Sequence, residues 1–246
     1  MYFALPSYKL YMGVARIRIR KVEKMKKKKL CVAIALLAAF GLWTVLICFI
    51  DVQAIGPEGS LVGFAELNGF VHGITGVNWF FYIATDWLGL VPIATAFGFA
   101  VFGGVQLIKR KSLWKVDYGI LALGGFYIVV IAAYVFFELV VINYRPILIE
   151  GYLEASYPSS TTILAMCVMP TAAIQLNARI KNNVLRRCII IAIAVFTAFM
   201  VFGRIISGVH WITDIIGGAL LSGGLVLIYS FVDNEIAGKA LKDSNS

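Results

Sequence analysis

Six long apolar runs dominate this chain, near residues 30 to 50, 86 to 108, 118 to 143, 160 to 177, 188 to 203 and 210 to 232. A run of about 20 apolar residues can cross the hydrocarbon core as a helix, which satisfies its backbone N–H and C=O groups internally. Six such runs leave little chain for a separate soluble unit. Charged residues make up 14% of the sequence, against roughly 25% in soluble domains. The mean hydropathy is +0.88. The sequence therefore predicts an all-α, polytopic membrane protein with about six transmembrane helices in one bundle. The run from Leu30 to Ile50 is too long for a signal-peptide core and lacks a small-residue cleavage site, so it reads as a retained span. The Gly-rich stretch from Asp51 to Thr85, with Trp79, Phe80, Phe81 and Tyr82, suits a segment lying at the interface.

Lysine and arginine fix the orientation. Threading the six spans in turn puts ten basic residues before Leu30 on the same side as Lys109, Arg110, Lys111, Lys115, Arg179, Lys181, Arg186, Arg187, Lys239 and Lys242. By the positive-inside rule this side is cytoplasmic, with both termini there and the chain a multi-pass protein of the plasma membrane. The expected organisation is a basic cytoplasmic segment over 1–29, a six-span membrane domain over 30–232 and a cytoplasmic tail over 233–246. Met25, followed by four lysines, reads as an alternative start, which would make residues 1–24 an extension without structural role. The juxtamembrane basic block points to anionic lipid headgroups as a partner. The net charge of +9 does not indicate nucleic acid, because no aromatic platform or recognised binding fold accompanies it. Cys31, Cys48, Cys167 and Cys188 lie in or beside apolar runs without metal-ligand spacing, so they read as small hydrophobes.

Two basic residues break the pattern. Arg145 and Arg204 emerge on the opposite side, where topology gives no reason for positive charge and an anionic ligand would. Arginine grips phosphate through two parallel hydrogen bonds and stays charged. Near Arg204 stand His210 and Asp214, four residues apart. On a helix they would share a face, letting the carboxylate orient the imidazole as a nucleophile. Pro158, Ser159, Ser160, Thr161 and Thr162 open the fourth span, where a helix start offers backbone N–H groups to an anion. Only His72 and His210 supply imidazole in the whole chain.

Arg145-Pro146, then Pro158-Ser159, then Arg204 with His210 and Asp214 behind it, resemble in order the three motifs of the type 2 phosphatidic acid phosphatase family of integral membrane lipid phosphatases. The resemblance runs over roughly residues 80 to 232. It implies a lipid phosphate substrate and a two-step transfer in which His210 attacks phosphorus, a phosphohistidine forms and water releases phosphate. Asp214 would orient the imidazole. Arg145, Arg204, Ser159, Ser160 and Thr161 would bind the phosphate. No cofactor or metal is implied.

The sequence departs from the family at informative positions. Glu138 stands where the family has a phosphate-binding lysine, Thr161 replaces the histidine that protonates the leaving group, and Gly203 replaces a serine. A threonine hydroxyl does not donate a proton near neutral pH, and losing a positioned acid costs about 10² to 10⁴ in rate. A departing phosphate needs that help less than a departing alcohol. The expected substrate is therefore a lipid pyrophosphate, such as a polyprenyl pyrophosphate, rather than phosphatidic acid. Glu154 or Glu138 is a candidate substitute acid, and pairing with an arginine is the other role open to Glu138. The competing function is a catalytically silent phospholipid-binding or lipid-transport protein that uses the same anion pocket.

Overall fold

The computed structural model describes the backbone of residues 6–243 and the side chains of residues 23–238. The basic side chains before Glu23 and the tail lysines Lys239 and Lys242 lie outside that range. Eight α-helices follow in chain order: α1 Pro6–Phe49, α2 Ala65–Thr75, α3 Trp79–Leu88, α4 Leu90–Arg110, α5 Tyr118–Leu139, α6 Ser160–Arg179, α7 Asn183–Ser207 and α8 Ile212–Asp243. Among the described residues the only β pairing is three isolated bridges in loops. Six segments are long and apolar enough to cross a membrane: Glu23–Phe49, Trp79–Arg110, Tyr118–Leu139, Ser160–Arg179, Asn183–Ser207 and Ile212–Gly238. The chain is thus a multi-pass helical membrane protein.

The second span differs from the sequence expectation. Trp79 to Tyr82, expected in a segment lying at the interface, instead open α3 at the start of the span, and its first turn is capped by the Asn78 side chain accepting from the Phe81 N–H at 3.2 Å. The chain then breaks at Gly89 and continues as α4. Residues 79–110 form one candidate span with a break at Gly89, and α2 is a separate short helix before it.

Helix α6 is the most enclosed element, with Thr162, Ala165, Cys167 and Ala172 fully buried. It packs against α4, α5, α7 and α8, while α1 lies along α8. Small residues make that approach possible. A Cβ on Gly224 would stand 2.6 Å from Leu37, and one on Gly217 would stand 2.4 Å from the Tyr157 ring. The loop from Tyr157 to Ser159 therefore lies directly on α8. At the basic end, Lys26 pairs with Glu235 at 2.7 Å and Arg179 with Asp117 at 2.8 Å, which fastens the helix ends together there.

Candidate active site

The end of the bundle opposite those basic residues gathers the sequence-predicted groups. Helix α7 ends where Gly208 takes a left-handed φ of 64°, and α8 begins only at Ile212. His210 therefore sits in the connecting loop, not on the helix with Asp214. Its loop is clamped from outside. A Cβ on Gly208 would fall 1.7 Å from the Gly76 carbonyl, the Asn78 N–H donates to Ser207 O at 3.0 Å, and His72 contacts the Gly208 backbone and the Trp211 ring. Burial holds the His72 imidazole below its ordinary range, with the Gly208 contact opposing. Asn68 of α2 is buried beneath the loop and donates to Thr213 Oγ1 at 3.0 Å, while Trp43 Nε1 donates to Thr213 O at 3.1 Å.

Asp214 is fully buried at the third position of α8. Its Oδ2 accepts from the Trp211 N–H at 3.0 Å, which closes the first turn as acidic residues at this position do. Asn143 Nδ2 donates to Oδ1 at 3.3 Å, and the Ser156 hydroxyl donates to Oδ2 at 2.5 Å. The expected direct contact with His210 is not made: Nδ1 lies 4.0 Å from Oδ2, while Ser156 Oγ stands 2.9 Å from Nδ1. The reason is local. Because the helix begins two residues after His210, the i,i+4 spacing no longer superposes the two side chains, and Ser156 fills the gap.

Arg204 is drawn inward by α3. Its Nη1 donates to Thr85 Oγ1 at 3.2 Å, its Nη2 lies 3.7 Å from Asp86, and the guanidinium stacks over Tyr82 at 5.2 Å. A Cβ on Gly203 already falls 2.6 Å from Thr85 Cγ2, so a serine there would crowd the contact that holds Arg204. Arg145 Nε lies 3.1 Å from Glu154, so the carboxylate partner of Arg145 is Glu154 and not Glu138. Glu138 is exposed and faces Tyr134. Ser159 is buried, its N–H donating to Asp214 O and its hydroxyl accepting from Thr162. Ser160 and Thr161 line a cleft of about 400 Å³ between α3–α4, α5 and α6, with Asp86 at its polar end.

Among the buried polar atoms of the described residues that lack hydrogen-bond partners are Arg145 Nη1, Arg204 Nε and His210 Nε2. Both arginine charges act on the His210 ring. Burial first, then Arg145 and Arg204, hold its imidazole well below its ordinary range, against the opposing Ser156 backbone. The ring is thus neutral near pH 7, with an unpaired Nε2 and two cations close by. An anion with several acceptor oxygens would satisfy both arginine N–H groups, which unpaired carry a desolvation cost of about 1–3 kcal/mol each, and would bring its central atom towards the Nε2 lone pair. Among the described residues no cluster of His, Cys, Asp or Glu has metal-ligand geometry. Sequence reasoning reached the charged groups but missed Ser156, Asn143, Asn68 and Thr85, since uncharged residues carry no signal against topology.

Fold and site together define a polytopic helical membrane protein with Arg145, Arg204, His210 and Asp214 gathered at one end of its bundle. Residues 141–236 match the model of the PAP2 superfamily. The fold of the chain is similar to the crystal structure of a transmembrane PAP2-type phosphatidylglycerolphosphate phosphatase from Bacillus subtilis, with a TM-score of 0.54 and 18% identity, over 83% of this chain and 96% of that one. No curated protein sequence matches the chain.

Proposed function

We propose that this protein is a membrane lipid phosphatase or phosphotransferase acting through His210 on a lipid pyrophosphate, such as a polyprenyl pyrophosphate. The observation that carries this reading is the convergence of Arg145 Nη1, Arg204 Nε and His210 Nε2 from three different segments, all buried and unpaired. The phosphatase activity in the name of the structural relative supports the same class of chemistry. In the first step the Nε2 lone pair forms an N–P bond to the terminal phosphorus as the bridging P–O bond breaks, and the lipid monophosphate leaves with the electron pair. In the second, water or another hydroxyl attacks phosphorus, gives up its proton, and returns the lone pair to Nε2. Arg145 and Arg204 offset the charge on the equatorial oxygens throughout.

The absence of a histidine at Thr161 is what favours a pyrophosphate, because its leaving group departs without protonation. The basic residues at the far end of the bundle support a cytoplasmic location for both termini and an extracytoplasmic site at the plasma membrane. A silent lipid-binding or transport role has its own support in Glu138 and Thr161, which remove a family lysine and a family acid. Phosphate release by purified protein from a polyprenyl pyrophosphate, a polyprenyl monophosphate and phosphatidic acid separates the two. Turnover of the pyrophosphate that His210→Ala abolishes is the expected result. Rapid turnover of phosphatidic acid would overturn the leaving-group choice, and no release from any of the three would leave the binding role.

A further inference from the structure

We infer that Ser156 is the positioning residue of the site, a hydroxyl relay through which Asp214 acts on His210. The inference rests on the reading of His210 as nucleophile, but its geometry is independent of the substrate. Ser156 is buried, and its Oγ lies between the two groups, 2.9 Å from His210 Nδ1 and 2.5 Å from Asp214 Oδ2. The hydroxyl has one proton. Asp214 Oδ2 accepts it, since this carboxylate has only donors around it, from Trp211, Asn143 and Ser156.

The Ser156 oxygen is therefore left with lone pairs only, and the ring nitrogen facing it must be the one that carries the proton. With Nδ1 protonated, the neutral imidazole has its free lone pair on Nε2, the buried and unpartnered atom that shares the pocket with the arginines. One serine thus decides which nitrogen is the nucleophile. When the N–P bond forms, the positive charge spread over the ring strengthens the Nδ1–H bond to Ser156 and, through the polarised hydroxyl, the interaction with Asp214. No proton has to move.

A serine that merely packs would not set a tautomer, and this is what the experiment reads. The chain has two histidines, so ¹⁵N-histidine-labelled protein in detergent gives a spectrum simple enough to assign with a His72→Gln variant. His210 is expected as the Nδ1–H tautomer in the wild type and as a mixture in Ser156→Ala. In turnover, Ser156→Ala should lower kcat by about 10- to 100-fold, the range seen when a group orienting a functional histidine is lost, with KM little changed. Ser156→Thr, which keeps the hydroxyl, should recover part of that loss. Asp214→Asn combined with Ser156→Ala should cost little more than the larger single change, because the two act in series.

An Nε2–H tautomer in the wild type overturns the relay, as does unchanged kcat in a folded Ser156→Ala protein or full additivity of the two substitutions. Turnover that survives His210→Ala overturns the nucleophile reading instead, and the wild-type tautomer still decides the relay. If Ser156→Ala fails to fold, the wild-type spectrum alone decides.

Discussion

Arg145 and Arg204, the two arginines proposed to bind phosphate, each pair with a carboxylate, Glu154 on Arg145 and Asp86 on Arg204. Both acids are partly exposed, so they act as replaceable counter-ions rather than as fixed structure. An incoming phosphate competes with them. Glu154→Gln should therefore lower the inhibition constant of inorganic phosphate by about 2- to 5-fold, the size of a partly exposed ion pair, measured by competition in the turnover assay. Lower turnover at unchanged phosphate affinity would instead mark Glu154 as the substitute acid. His210 gives a pH prediction with a definite sign. In the proposed mechanism neutral imidazole is the reactive form, and the residue is held well below 6.5 by burial and by two arginines. kcat/KM should hence stay flat as pH falls through 6.5 and decline only at lower pH, where Nε2 takes a proton. An acid limb centred near 6.5 would show that the ring is solvated in the working enzyme. The four groups Arg145, Arg204, His210 and Asp214 were readable in the sequence because a charge opposite the basic face needs a reason. Ser156 was not: its role comes from a loop laid on α8 over Gly217, an approach that no local pattern encodes.

At the scale of the elements, the loop between α7 and α8 owes its shape to α2 and α3, which lie outside the stretch that matches the family. Gly208 is the clearest point of dependence. Its φ of 64° favours glycine, and the Gly76 carbonyl occupies the place a side chain would take. Gly208→Ala should abolish turnover while the helices stay formed, because the loop must move off α3 and take His210 with it; circular dichroism and phosphate release read the two effects. Asn68→Ala tests the second clamp. It leaves the Thr213 N–H and hydroxyl buried without their partner, and a loss of about 1–3 kcal/mol is expected, seen as a lower Tm in detergent. The six spans were legible from hydropathy because lipid imposes length and apolarity on each. The start of the second was misplaced, at 86 rather than Trp79, because aromatic residues serve equally at an interface and in a helix. Only the Asn78 cap and the packing of α3 on Arg204 decide between them.

For the whole molecule, the threading has a direct check. In a variant without native cysteines, a thiol placed at Ser112 and one at Glu150 should fall on opposite sides of the membrane. A membrane-impermeant reagent applied to intact cells should label Glu150→Cys and spare Ser112→Cys, and the reverse pattern would invert the proposed orientation. The support that α1, α2 and α3 give to the far loop has a consequence for how the chain can be divided. Trp43, Asn68 and Thr85 belong to the first half, yet they anchor Thr213 and Arg204 in the second. The leading spans are therefore not a mere anchor for a second half that could hold its loops in place unaided. Expressed as two fragments cut within the 109–115 loop, neither piece alone would contain a finished pocket, and function would return only when the two fragments reassemble in the same bilayer.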